Sequence, residues 1–270
     1  MLSTVAFIFA MTLVLAAVVQ LSVAVYFRQR VLSVKTISMP LEKQQSVAVL
    51  ICVRGCDPSL RHALIGILDQ EFVSYEVHLV IDSRSDAAWD LVQEIKREHD
   101  LNDILKIHEM QGALETCGLK CNAILQGLAA IPDDTKYLAL MDADVRPHSS
   151  WLAEVVGPLE NDLSIGLVTG NLWFEPAESA NWGSLVRSMW NAGALVPTAI
   201  FQNPWAGSLA MRMDDLRRSN LASVWQHSVV DDGPLRQVIN SLDLNIYFAP
   251  SLIMINRERC TFSYVNRWVS

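Results

Sequence analysis

Two aspartates separated by a single residue, Asp142 and Asp144, close the apolar run Leu138-Ala139-Leu140-Met141. A run this short and this apolar reads as a buried strand, so the carboxylates fall where the strand leaves its sheet, the edge at which open α/β sheets bind ligands. Two hard oxygen donors there suit Mg²⁺ or Mn²⁺, ions commonly held by one or two carboxylates together with a substrate's phosphates. Asp is also common in solvated turns, and the pair alone leaves that reading open. A second acidic pair, Asp231-Asp232, comes later in the chain; it marks either a site or the N-terminus of a helix, where the macrodipole favours acids. Asp82 ends another apolar run, and Lys120 stands at the start of a helical pattern. A polar strand-end turn and a solvated lysine are their ordinary readings.

Alternating elements must carry these residues. Strand-like runs at 46–53, 75–81, 104–108 and immediately before Asp142 are separated by helical patterns at 60–68, 87–99 and 121–130. The first strand ends in the turn Arg54-Gly55-Cys56-Asp57-Pro58, with Asp57-Pro58 opening the next helix. Such alternation predicts a mostly parallel sheet with helical crossovers, and a Rossmann-like first half. Beyond Asp144 the pattern is less regular. Helices are expected at 150–159, 182–194 and 235–241, a long strand at 165–174, a glycine turn and short strand at 205–212, and closing strands at 245–249 and 252–255. Neither a G-x-G-x-x-G nor a G-K-[ST] phosphate loop occurs.

The 270 residues leave room for a membrane segment and one large domain. Residues 2–27 carry no charged side chain, which exceeds the roughly 20 apolar residues that a spanning helix needs. A cleaved signal peptide would require positive charge ahead of the apolar core, although Ser22-Val23-Ala24 has the small residues of a cleavage site. The basic residues instead follow, at Arg28, Arg30 and Lys35. That asymmetry favours a transmembrane signal anchor over 1–28, a linker over 29–45 containing Pro40, and a domain over 46–270 held in the cytoplasm. A net charge of −8 and the lack of a basic cluster argue against nucleic acid as a partner. Five cysteines, at 52, 56, 117, 121 and 260, do not suggest a disulfide framework. The 52/56 and 117/121 spacings would form a zinc site only if the pairs met in space.

Taken in order, these segments resemble glycosyltransferase family 2, most of all its membrane-bound ceramide glucosyltransferase type. Arg54 to Leu60 is similar to the family's first loop, and Tyr75-Glu76-Val77 into Asp82 to its second strand, whose terminal Asp contacts the nucleotide base. Gly118-Leu119-Lys120-Cys121-Asn122 resembles the Gly-x-Lys-x-Asn segment, and Asp142-Ala143-Asp144 the D-x-D motif. Gly207 to Arg212 resembles the acceptor-side glycine segment. Val230-Asp231-Asp232 resembles the E-D motif, whose second member is the catalytic base. The resemblance implies a GT-A fold, a Rossmann-like nucleotide-sugar-binding sheet with helices on both faces. It also implies inverting transfer of a hexosyl group from a nucleotide sugar of the UDP-glucose type to a lipid or other hydroxyl acceptor. Under it Arg54, Asp82, Lys120, Asp142 and Gly207 serve the donor, Asp144 and Asp142 hold Mg²⁺ or Mn²⁺, and Asp232 beside Asp231 carries the catalysis. Relatives add a [QR]-x-x-R-W segment; here Arg267-Trp268 follows Tyr264 in place of Gln or Arg, which reads as a chain stopping short of the full motif.

Two rivals stand beside this. The run Asp142-Ala143-Asp144-Val145 with a later acidic pair also resembles a haloacid-dehalogenase-like phosphatase. That nucleophile normally ends the first strand of its domain, whereas three strands are expected ahead of Asp142. The other rival is a noncatalytic, membrane-tethered protein that binds nucleotide sugars on the same fold.

Overall fold

The computed structural model describes residues 2–99, 103–176 and 181–269. In chain order they form α1 (Leu2–Ser33), β1 (Val47–Val53), α2 (Leu60–Leu68), β2 (Tyr75–Ile81), α3 (Ala87–Glu98), β3 (Leu105–Glu109), α4 (Leu119–Leu128) and β4 (Tyr137–Met141). There follow α5 (Trp151–Asn161), β5 (Ile165–Phe174), α6 (Trp182–Phe201), β6 (Ser208–Arg212), α7 (Met213–Arg218), α8 (Leu221–Trp225), α9 (Leu235–Ser241), β7 (Asn245–Asn256) and α10 (Phe262–Val269).

The seven strands make one sheet in the order β3-β2-β1-β4-β6-β5-β7. The β3-β2-β1-β4 half is parallel, as the alternating pattern predicts. The sheet as a whole is mostly parallel, as expected, with the single strand β6 reversed. Strand β6 begins where β4 ends, Ser208 opposite Met141, so it runs antiparallel to both of its neighbours β4 and β5. Spacing of elements along a sequence does not encode strand direction, and β7 then returns parallel to β5.

Both faces of the sheet are covered. Along β1, Val49 and Ile51 pack with Leu64, Ile67, Val92 and Trp151 from α2, α3 and α5. Ala48 and Leu50 point the other way, toward Ile124, Leu221, Trp225 and Leu235 of α4, α8 and α9. Burial on both sides accounts for the nearly uninterrupted apolar sequence of this strand.

Three boundaries differ from expectation. The closing strands are one strand, β7, because the break between them is a register irregularity opposite Thr169 to Asn171. A Cβ at Gly170 would stand 2.1 Å from Leu252 O, so a glycine lets the two strands approach there. Helix α6 continues past Ala194 to Phe201 with Pro197 inside it. Helix α1 continues past Arg28 to Ser33, and the rest of the linker is not free either. The Met39 N–H donates to Ala153 O at 2.8 Å, and a Cβ on Gly157 would come 2.6 Å from Ile37 O, so 37–39 lies against α5. At its C-terminal end α1 touches the domain through Phe27, which packs with Leu195 and Ala199 of α6 and Phe248 of β7.

Candidate active site

The parallel half of the sheet brings Arg54, Asp82 and Asp142 to one edge. Arg54 Nε sits 3.5 Å from Asp82 Oδ2. The two line a depression of about 260 Å³ with Cys52, Val80, Met110 and Lys120. Beyond Arg54 the chain turns through Gly55, whose φ of 76° suits a glycine, and the Gly55 N–H donates to Asp86 Oδ2 at 2.8 Å.

Lys120 is the centre of the arrangement. It lies in the first turn of α4, with Nζ 2.6 Å from Asp142 Oδ1 and 2.8 Å from Asp231 Oδ2. The resemblance gave this lysine to the donor. In the structure its ammonium ties the D-x-D segment to the later acidic pair, two segments far apart in sequence. Burial works against the charged ammonium, but Asp142 and Asp231 outweigh it and hold the lysine above its ordinary pKa. The loop bearing Asp231 is fixed at two more points. Buried Trp225 donates its indole N–H to Asp231 O at 2.8 Å, and the Gly118 N–H donates to Ser228 O at 2.9 Å. A Cβ at Gly118 would lie 2.0 Å from Val229 O, so this helix start meets the loop only as glycine. Asn122 of the same helix is buried and donates to Gly112 O at 2.9 Å.

A larger cleft of about 520 Å³ opens beside the lysine. Asp142, Asp144 and Asp232 share it with Trp190, Trp205 and Arg236. Burial, then the charges of Asp142 and Asp57, push the Asp144 carboxyl up to about 6. Burial and the neighbouring Asp231 raise Asp232 as well. The Asp144 backbone is held by Asn256 of β7, whose side-chain N–H donates to Asp144 O at 3.2 Å. Gly207, expected at the donor, contributes room: a Cβ there would fall 2.3 Å from Asp142 Oδ2 and 2.2 Å from the Trp205 ring.

The donor set fits a divalent cation held jointly with a ligand. Among the described residues no group of three or more His, Cys, Asp or Glu side chains could hold a metal ion alone. Two carboxylates, Asp142 and Asp144, do share the cleft, and a divalent charge would offset both the burial and the Asp142 repulsion that raise Asp144. Diphosphate oxygens would complete such a shell. The cysteines form no such centre: all five are free, Cys121 is buried in the core, and burial pushes the Cys52 thiol up to about 12.

Among the tryptophans of the second half, Trp190 and Trp205 line the cleft, Trp225 is core and Trp182 is exposed. Asn171, Asn191, Thr198 and Arg236 also line it, and sequence reasoning missed all four because they stand on strands and helices without a motif. Also unforeseen was Glu258, pushed up to about 7 by burial and by a hydrogen bond and charge from Asp57. Tyr264, Arg267 and Trp268 fall on α10, and their side chains lie outside the described residues.

A mixed sheet of this order, with paired acids and a lysine at one edge, is the frame of a GT-A glycosyltransferase. The sequence matches glycosyl transferase family 21 over residues 8–222, well over half the chain, and the protein belongs to that family. No curated protein sequence matches it. Solved structures share the fold, two of them as follows. A mannosyltransferase from Pyrobaculum calidifontis, in complex with GDP-Man and Mn²⁺, superposes with a TM-score of 0.63 at 17% identity over 95% of this chain and 70% of its own. Glucosyl-3-phosphoglycerate synthase from Mycobacterium tuberculosis, in complex with Mn²⁺, UDP and phosphoglyceric acid, gives 0.52 at 15% identity over 80% of this chain and 72% of its own. The protein is therefore a glycosyltransferase, and the phosphatase reading is set aside. The motif order resembled family 2; the family matched is 21.

Proposed function

We propose that the protein is a membrane-anchored inverting glycosyltransferase, similar in specificity to the ceramide glucosyltransferase type, moving a hexosyl group from a UDP-sugar to a lipid hydroxyl. The observation that carries this is the convergence of Asp142, Asp144 and Asp232 on one cleft, next to a lysine that links Asp142 to Asp231. Support for a nucleotide donor comes from the fold and from the Arg54–Asp82 depression adjoining Lys120. The Mn²⁺ in both related structures supports a divalent ion. Helix α1, long and apolar enough to cross a membrane, supports the anchor and a cytoplasmic domain.

In this mechanism Arg54 and Asp82 seat the nucleotide, and Asp142 and Asp144 are the residues that would hold Mg²⁺ or Mn²⁺. Such an ion, when bound, neutralises charge on the departing diphosphate. Lys120 keeps the donor-side acid and the base-bearing loop in register. Asp232 accepts the proton of the acceptor hydroxyl as that oxygen attacks the anomeric carbon opposite the leaving group. Its raised pKa makes it a better base than an ordinary carboxylate. Asp231, ion-paired to Lys120, is the positioning member of the pair.

The test is a panel of nucleotide sugars scored for Mn²⁺-dependent thermal stabilisation, followed by turnover with lipid and soluble hydroxyl acceptors. Stabilisation by a UDP-hexose with transfer to lipid is the expected result. Binding without turnover on any acceptor would instead support a noncatalytic binding protein.

A further inference from the structure

Helix α6 shows an inverted amphipathic pattern. Its only charged side chain, Arg187, is buried and donates to Glu258 O at 2.5 Å, while Asn191 is buried and donates to Leu172 O at 2.8 Å. The outward face holds Trp182, Leu185, Met189, Gly193, Pro197 and Phe201, at helical spacing and all exposed. A helix on a water-facing surface ordinarily carries its charges outward. Here the polar groups fasten the helix to the sheet and the apolar ones face away.

Position says what covers that face. Phe27, the last residue before the first positive charge of α1, packs against Leu195 and Ala199 of α6. The change from uncharged to basic sequence marks the membrane boundary, so α6 meets the anchor at the level of the headgroups. The geometry points to α6 as an interfacial helix, its outward face lying in the headgroup and acyl boundary of the same bilayer that α1 crosses. This inference rests on the membrane-anchored reading above and deepens it. The flank of α6 next to that face supplies Trp190, Ala194 and Thr198 to the cleft of Asp144 and Asp232. The acceptor side of the site therefore opens at the bilayer surface, where a lipid hydroxyl can reach Asp232 without leaving the membrane.

The test uses the full chain in liposomes of phosphatidylcholine and phosphatidylglycerol, with a photoreactive diazirine residue placed singly at 14, 73, 163, 189 or 201. Val73 and Leu163 are exposed apolar positions away from α6 and serve as controls. Lipid adducts at 14, 189 and 201, about tenfold above those at 73 and 163, are expected for an interfacial helix. Adducts at 14 with only control levels at 189 and 201 would overturn the inference and leave the anchor reading standing. Control levels at 14 as well would overturn both. Adducts from 189 to a second copy of the chain would make this face a dimer interface and refute the bilayer assignment. A Met189→Glu chain that melts like the parent in detergent should lose lipid labelling at 201; unchanged labelling counts against the inference.

Discussion

Replacing Lys120 by Met removes the ammonium while keeping most of the side chain's volume, and it leaves Asp142 and Asp231 facing each other without a cation. The two ion pairs, at 2.6 and 2.8 Å, are each worth roughly 6 kcal/mol at an effective dielectric of about 20, before the cost of taking three charges from water. Losing one partner of a fully buried pair costs about 3–5 kcal/mol. The lysine side chain is 40% exposed, so solvent screening lowers the expected loss to roughly 1–3 kcal/mol. A domain of ordinary stability, about 5–15 kcal/mol, survives that and remains measurable. The assay is urea unfolding in mild detergent of the parent, Lys120→Met, Asp231→Asn and the double variant. Because lysine and aspartate touch, the cycle should show a coupling of about 1 kcal/mol or more. Additivity within about 0.5 kcal/mol would refute the clamp, and with it the argument that Lys120 sets the position of the base-bearing loop.

Asp144→Asn should weaken Mn²⁺-assisted donor binding more than about tenfold by calorimetry, and equal affinities with and without chelator would remove Asp144 from the metal site. Asp232→Asn should lower kcat by about 10²-fold or more with donor affinity nearly unchanged, since a proton acceptor acts only in the transition state. Gly118→Ala should destabilise by about 1–3 kcal/mol because helix and loop must part, and a melting curve indistinguishable from the parent would show that they are not in contact. Glu258 binds its proton more tightly when folded, so its contribution is fully present below 4.5 and is lost as pH rises through about 7. Glu258→Gln should therefore match the parent at pH 4 and exceed it at pH 8 by on the order of 1–3 kcal/mol, and an equal margin at both pH values would exclude the buried acid.

Local sequence was enough for every element whose signal is local. The parallel half of the sheet, the uncharged N-terminal helix and the acids at strand ends follow from apolar runs, turn residues and charge order, each read within a dozen residues or so. What depended on segments distant in the chain was not legible. No spacing reveals that Lys120 bridges Asp142 and Asp231, because that contact exists only after α4 and the loop after α8 close on each other through Gly118. Equally invisible in sequence is that the Asp142 carboxylate needs the space a Cβ at Gly207 would occupy. Antiparallel β6 and the apolar outward face of α6 were hidden for the same reason. Periodicity gives a helix its apolar face, whereas packing against the sheet decides which side is left facing outward, and for α6 the buried Arg187 and Asn191 turned the apolar side out.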